Sequence, residues 1–518
     1  MQVTRRNALG AFAGGAAALL LPRKSAAQSF DFAIAPGPFQ GTRESLAHYE
    51  TPKWFRDAKF GIWAHWGPQS GIEAGDWYAR NMYMQGSEQY NYHIAHYGHP
   101  SKIGYKDLIP NWHADRFDAE RLMEAYKRAG AKYFVSMGVH HDNFDLWNSK
   151  YTRWNAVKMG PKRDVVGLFR KAALKNGLPF GVTEHLWITY KWFSTSKGSD
   201  KTGQWAGVPY DGANPAWDDL YGGCKTVYTN LPWNSDGIPD SWRRHWYQRI
   251  KDLVDKYQPD LLYTDGALPF EEYGLNQVAN LYNLSAKRHG GSVQAVYTSK
   301  RKEDCATGTC VLDVERGVVD QIWPVAWQTD TSVGDWHYRR NDHYKSPKTV
   351  VDMLVDIVSR NGNLLLNFPL PNSGELDAIE FQILGELTRW MSVASEGIYG
   401  TRPWKIFGEG PSTLKRAGAA GASFNEDKRK DLTAADVRFT TKGNALYAFV
   451  MGWPAGEAVV KALGTKARTA PGKITNVELL GYDEKLEWTQ GPLGLRVRMP
   501  AQKPSEHAIA LKVTGALS

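Results

Sequence analysis

The sequence predicts a parallel βα fold closed as a barrel, with a small antiparallel β-sandwich behind it. Short apolar runs of β character alternate with amphipathic helical segments from about Pro52 to Ser395. Polar side chains gather where those runs end on their C-terminal side, which is where barrel enzymes place their chemistry. Past Pro403 the pattern changes to short alternating runs broken by Gly, Pro and Asp/Lys turns.

The first residues read Thr4-Arg5-Arg6-Asn7-Ala8-Leu9, then a mild apolar run to Leu21, then Ser25-Ala26-Ala27. A charged start, an apolar stretch too short and too rich in Gly and Ala to span a bilayer, and a small-residue cleavage site make an export signal. The paired arginines favour the twin-arginine route over an ordinary secretory signal. Removal after Ala27 is expected, leaving a periplasmic or secreted chain without membrane insertion. Residues 28–51 read as a linker, 52–400 as the barrel and 401–518 as the sandwich.

Six strands are legible: Phe60 to Trp66, Lys132 to Val139, Pro179 to Leu186, Pro259 to Thr264, Ser292 to Tyr297 and Asn363 to Phe368. The helices between them are well punctuated. Trp242, Trp246, Ile250, Leu253, Val254 and Tyr257 recur at helical spacing, and Pro259 stops that helix. Asp164 can cap a helix whose apolar face is Val165, Leu168, Phe169 and Ala172, ended by Gly177. Ser346-Pro347 combines an N-cap with proline at the first helical position. A doubly wound sheet would share this alternation, but no glycine-rich dinucleotide fingerprint follows the first strand. Ala445 to Val450 and Gly494 to Met499 are typical of the C-terminal β domain, which reads as structural rather than catalytic.

A chain of 518 residues, 42% of them hydrophobic, can bury a large catalytic domain and a smaller one. Its 21 Trp and 25 Tyr offer flat faces for sugar rings, although core packing is their commoner use. Of the formal charge of +9, four units belong to Arg5, Arg6, Arg23 and Lys24, and no acidic residue precedes Asp31, so the trimmed chain carries +5. No dense Lys/Arg run elsewhere argues for nucleic acid. Cys224, Cys305 and Cys310 are too few for a disulfide framework or a zinc motif, but Cys305 and Cys310 are close enough in sequence to pair.

His65, His140-His141, Glu184-His185 and Asp265 each fall at a strand end. Cleaving a glycosidic bond needs one carboxylate to take the anomeric carbon and a second carboxyl to protonate the leaving oxygen. Asp265 ends the run Leu261-Leu262-Tyr263-Thr264 and precedes Gly266, so its carboxylate can point into the barrel mouth. An aspartate there could also be a helix cap or loop former, and its company decides in favour of chemistry.

Five blocks in order resemble the signature segments of glycoside hydrolase family 29, the α-L-fucosidases. They are Phe60-Gly61-Ile62-Trp63-Ala64-His65-Trp66-Gly67, His140-His141-Asp142-Asn143-Phe144-Asp145-Leu146-Trp147, Pro259 to Gly266, Asn361 to Asn367 and Glu396 to Pro403. The resemblance implies a retaining hydrolase on a (β/α)₈-like TIM barrel followed by a sandwich, using no cofactor and no metal, acting on fucosylated oligosaccharides or glycoconjugates. Its nucleophile falls on Asp265, and its sugar-binding histidines on His65, His140 and His141. Its acidic-Trp pair falls on Asp76-Trp77, where Asp replaces the usual Glu and shortens the reach. Glu184 and His185 replace a more usual Tyr pair and are expected in the pocket, with a scaffold role as the alternative for the pair.

Some members carry the acid/base at the position of Gln328, which cannot transfer a proton. Glu315 in Val314-Glu315-Arg316-Gly317 resembles the loop glutamate of others, with Asp313, Glu303 and Asp304 as fallbacks. Arg316 resembles a substrate-contacting arginine and could hold a carboxylate ionised. Trp77, Trp147 and Trp336 are candidate walls for the apolar face and C5 methyl of a 6-deoxy sugar. Rival readings are a related enzyme for another sugar, a non-catalytic sugar-binding protein, and a metal-dependent hydrolase using His65, His140, His141 and Asp142. The last needs the chain to bend at His140-His141, because neighbours on a strand face opposite ways.

Overall fold

The computed structural model describes residues 30–413, 424–426 and 431–517, so the expected export signal at 1–27 lies outside the described residues. Eight parallel strands close into a barrel in sequence order: β1 (Phe60–Ala64), β2 (Tyr133–Val139), β3 (Phe180–Glu184), β4 (Leu261–Thr264), β5 (Val296–Ser299), β6 (Val311–Asp313), β7 (Trp327–Ser332) and β8 (Gly362–Asn367). Closure is made by β1, which pairs with β2 on one side and with β8 on the other. All eight strands are buried along their whole length, as expected of parallel strands covered on both faces.

Two of these strands, β6 and β7, have no apolar run to announce them. Strand β6 has only three residues, and β7 reads Trp-Gln-Thr-Asp-Thr-Ser. Its polar side chains are paid for by partners on other strands: Gln328 accepts from Tyr133 of β2 (2.8 Å) and donates to Asp313 of the adjacent β6 (2.7 Å), and Asp330 accepts from Tyr263 of β4 (3.0 Å). Hydrogen-bonded polar groups bury at little net cost, so a strand can be polar and still central.

The principal helices outside the barrel are α1 (Ala119–Arg128), α2 (Val165–Lys175), α3 (Asp240–Tyr257), α4 (Glu272–Arg288), α5 (Pro347–Ser359) and α6 (Ala378–Ala394). Asp164 caps α2 by accepting from Gly167 N, Ser346 caps α5, and Asp377 with Glu380 forms a capping box on α6. Leu168, expected on the inner face of α2, is instead exposed. Residues 34–51, read as a linker, are packed on α4. Asn283 of α4 brackets Ala35 and Phe39 with backbone hydrogen bonds, and Tyr49 stacks on Tyr282 at 4.3 Å. Cys305 and Cys310 form a disulfide between β5 and β6, and Cys224 is free and buried.

The C-terminal domain is a sandwich of a five-stranded and a three-stranded antiparallel sheet. The first contains β9 (Arg402–Glu409), β10 (Val437–Lys442), β11 (Ala445–Val450), β13 (Asn476–Leu479) and β16 (Ile509–Thr514); the second contains β12 (Glu457–Val460), β14 (Trp488–Gly491) and β15 (Gly494–Arg498). Phe439, Leu446, Val497 and Leu511 share one apolar core between them. Arg438 of β10 donates to Asp356 of α5 (2.5 Å), and the Arg360 guanidinium lies 3.7 Å from the Phe407 ring centre, so the sandwich is fastened to the barrel. Among the described residues no helix is long and apolar enough to cross a membrane.

Candidate active site

The C-terminal strand ends converge on one pocket. His65 follows β1, and its backbone N–H is held by Asn367 at the end of β8 (2.8 Å). Its ring lies against those of His140 (4.9 Å), His185 (5.4 Å) and His337 (4.5 Å), and stacks on Trp336 (5.5 Å). Burial and the neighbouring imidazoles hold the His65 and His140 pKa values well below the ordinary histidine range, so both rings are neutral near pH 7. Gln69 fixes the His140 tautomer. Its Oε1 accepts from Ala79 N, so its amide N–H donates to His140 Nδ1 (2.9 Å), leaving Nε2–H on the side of Asp76, 3.9 Å away. Both ring nitrogens of His65 and Nε2 of His337 are buried without a hydrogen-bond partner among the described residues. Buried polar atoms left open in a cleft suit a ligand rich in hydroxyls.

Asp265 extends β4 by one residue, its N–H held by Glu184 O (3.0 Å). Gly266 then takes φ of +117°, where a Cβ would meet the Trp187 indole at 3.0 Å. That indole N–H donates to the Asp265 carbonyl, which fixes the turn. The Asp265 carboxylate points into the pocket: Oδ2 lies 3.2 Å from both His141 Nε2 and His185 Nδ1, and Oδ1 lies 3.5 Å from Lys300 Nζ. Burial alone would push its pKa up, but the neighbouring His185, Lys300 and His141 hold it well below the usual carboxylate range.

Glu315 faces Asp265 across Lys300. Lys300 Nζ is 2.7 Å from Glu315 Oε2, 3.3 Å from Asp330 Oδ2 and 3.9 Å from Asp313 Oδ1, and sits 5.3 Å from the Tyr263 ring centre. Burial works against the ammonium, but the carboxylates of Asp330, Glu315 and Asp265 hold its pKa well above the usual lysine value. Burial pushes Glu315 up to about 7; Lys300 opposes this, and the charges of Asp330 and Asp265 add to it. One carboxyl is therefore held ionised and its neighbour titrates near neutrality, the division of labour that acid and nucleophile require.

The pocket corrects several expectations. His140 and His141 both enter it, their rings 4.7 Å apart, because β2 ends at Val139 and its register against β3 shifts between Met137 and Val139. Glu184 does not enter. It lies on the outer face of β3 and accepts from Trp246 of α3 and from Leu186 N, both at 3.0 Å, with burial raising its pKa to about 7. His185, the next residue, takes the inward side. Trp147 is no sugar platform either, since it is fully buried with its N–H on Asp252 of α3.

Arg316 lies 4.6 Å from the Trp336 ring centre and pairs with Glu426 (3.0 Å), so the carboxylate it holds is not Glu315. The fallback acids are otherwise engaged. Asp304 accepts from Leu268 N and Ser299, Asp313 from Gln328, and Glu303 pairs with Arg301 on the surface. Asp76 reaches His337 Nδ1 at 2.5 Å, and Trp77 takes φ of +58° against His141, Trp192 and Trp233.

Lys300, Asp330 and His337 were missed. Lys300 and Asp330 follow or lie in the strands that pattern did not delimit well, and His337 sits in a loop beside Trp336. Lys300 opens the basic run Lys300-Arg301-Lys302 just past β5, and nothing in that run singles it out from its neighbours. Two clusters have ligand atoms near enough to share a cation: His65, Asp76, His140 and His337, and His140, His141 and His185.

Two family models match the chain, Alpha-L-fucosidase over residues 26–396 and Alpha-L-fucosidase C-terminal domain over residues 429–514. Tissue alpha-L-fucosidase of Homo sapiens is 28% identical over 523 residues, covering 97% of each chain. The Rattus norvegicus enzyme is 28% identical over 505 residues, covering 93% of this chain and 94% of its own. Among solved structures, the Thermotoga maritima alpha-fucosidase in complex with fucose superposes with a TM-score of 0.69 at 25% identity, covering 92% of this chain and all of that one. The barrel, the sandwich and the strand-end pocket thus belong together with this match, and the chain is a glycoside hydrolase of the α-L-fucosidase family, family 29.

Proposed function

We propose that the protein releases terminal α-L-fucosyl residues from glycans with retention of configuration, by double displacement, with Asp265 as nucleophile and Glu315 as acid/base. One observation carries the mechanism. Lys300 Nζ touches Asp265 Oδ1 at 3.5 Å and Glu315 Oε2 at 2.7 Å. The two oxygens therefore lie within about 6 Å of each other, closer to the spacing of a retaining pair than to the wider gap that admits a water.

In the first step an Asp265 oxygen attacks the anomeric carbon while Glu315 gives its proton to the departing oxygen, and the aglycone leaves as an alcohol. In the second step Glu315, now ionised, takes a proton from water as that water attacks the anomeric carbon. The Asp265 ester bond breaks, fucose leaves, and Glu315 is protonated again. Lys300 orients the acid. An ammonium only donates, so Glu315 Oε2 can only accept from it, and the acid proton belongs on Oε1. His65, His140 and His337 would receive the sugar hydroxyls. Trp77 and Trp336 would wall the C5 methyl, leaving a galactose hydroxyl unpaired there. The shorter Asp76 leaves another sugar of similar configuration as the alternative substrate. Export by the twin-arginine route, to the periplasm or beyond, is part of this proposal and is tested by fractionating cells carrying the full chain and an Arg5→Lys/Arg6→Lys variant.

The test is hydrolysis of aryl α-L-fucoside, aryl β-D-galactoside and fucosylated oligosaccharides, with the first-formed anomer followed by NMR. Release of α-L-fucose first supports the reading, and β-L-fucose first would sink it. Activity abolished by a chelator and restored by zinc would transfer the function to the histidine clusters.

A further inference from the structure

The stretch 314–316, which carries the acid/base, is held from two sides. On the barrel side, Val314 N donates to Gln328 O (2.9 Å) and Arg316 N to Asp330 O (2.8 Å), both on β7. On the other side stand three residues that belong to the C-terminal domain, 424–426, between β9 and β10. Phe424 N donates to Glu315 O at 2.7 Å, and Glu426 N to Arg316 O at 2.9 Å. Asn425 closes a reciprocal pair with Val318, accepting from its N–H (3.1 Å) and donating to its carbonyl (3.0 Å).

The Glu426 side chain is buried and its charge is matched on every side. Its carboxylate takes Arg316 (3.0 Å), Lys345 (3.2 Å) and the Thr331 hydroxyl (2.7 Å). Arg316 meanwhile adopts φ of +42°, a conformation that a side-chain-bearing residue keeps only when its surroundings impose it. A loop tied at four backbone points and one buried ion cluster is restrained more than chain connection requires.

We propose that residues 424–426 are positioning residues for the acid/base: the C-terminal domain holds Glu315 at the glycosidic oxygen. This rests on Glu315 being the acid/base. A proton donor must stand within hydrogen-bond reach of the leaving oxygen, and a displacement of about 1 Å costs on the order of 10²-fold in rate. Asp265 needs no such help, because its own strand carries it. The sandwich therefore contributes to catalysis through Glu315 without touching the substrate.

The full-length chain is tested as Glu426→Gln, which keeps the shape and removes the charge, and as Asn425→Ala, which leaves the ion cluster intact. Each is assayed on a fucosyl disaccharide, whose departure needs the acid, and on α-L-fucosyl fluoride, whose departure does not. The expected result is a loss of about tenfold or more in kcat/KM on the disaccharide. Fluoride turnover should stay within about twofold, and Glu426→Asp should recover part of the loss. Equal losses on both substrates, or no loss on either, overturn the proposal, and if Glu426→Gln fails to fold, Asn425→Ala decides alone by the same criterion. Glu315→Ala is run beside them. If it keeps disaccharide activity, the assignment of Glu315 fails, and this is told apart from failure of the clamp alone, where Glu315→Ala is impaired and the 425 and 426 variants are not.

Discussion

Asp265 and Glu315 share a lysine and little else. Asp265 sits one residue beyond a regular strand, with its N–H on the neighbouring strand and histidines from the ends of β2 and β3 on its carboxylate. Glu315 sits two residues beyond a three-residue strand, and its backbone is held by β7 and by residues of the C-terminal domain. The first carboxylate is placed by barrel closure, which is cooperative and hard to perturb locally. The second is placed by contacts gathered from segments far apart in sequence. The barrel wall alone fixes Asp265, whereas Glu315 stands on a loop that is fixed only by contacts from β7 and from residues 424–426.

The largest effect should come from Asp265. Asp265→Ala removes the proposed nucleophile, and kcat/KM on every fucoside, activated or not, should fall by about 10⁴-fold or more. Substantial turnover in that variant would break the comparison at its firmer end. Glu315→Ala should act selectively. Loss on natural linkages should be about 10²- to 10³-fold, with much less on fucosyl fluoride, and azide should restore turnover as a fucosyl azide product. Loss independent of the leaving group would make Glu315 a structural residue.

What was legible in the sequence follows the same division. β1 to β4 and β8 read as apolar runs because parallel strands buried on both faces are apolar throughout, and Asp265 was found by its place at the end of one. β7 was illegible because its polar side chains find their partners in segments far off in sequence, as Gln328 does with Tyr133 of β2 and Thr331 with Glu426. Glu184 and His185 show the limit of a strand-end rule: alternation sends one inward and the other onto Trp246, and the sequence does not say which. Residues 424–426 lie more than 100 positions from Glu315, in a domain read as structural, and no local pattern connects them.

Lys300→Met sharpens the comparison further, because both carboxylates lose the same cation. Without it the ionised forms of Asp265 and Glu315 are each less favoured, so both pKa values rise. The acidic limb of the kcat/KM profile should move up in pH, and the alkaline limb, expected near 7 from the raised Glu315 pKa, should move up as well. The maximum should fall by about ten- to a hundredfold as Glu315 loses its tether. A profile that keeps both limbs in place would show that Lys300 governs neither carboxylate.

The smallest kinetic effect belongs to Glu184→Gln, the neighbour of His185 that faces away from the pocket. Its amide can still accept from Trp246, so kcat/KM should stay within about twofold of wild type. Stability should respond instead. Burial raises the folded pKa of Glu184 to about 7, so the folded chain binds a proton that the unfolded chain has released. The stability this gives is complete below the ordinary glutamate pKa of about 4.3 and is lost as pH rises through about 7. The Tm of the wild type should therefore decline relative to Glu184→Gln between pH 4 and 7, and the variant should be the more stable by a few degrees above that range. A variant that lost activity while its Tm stayed parallel to wild type across the range would return Glu184 to the pocket.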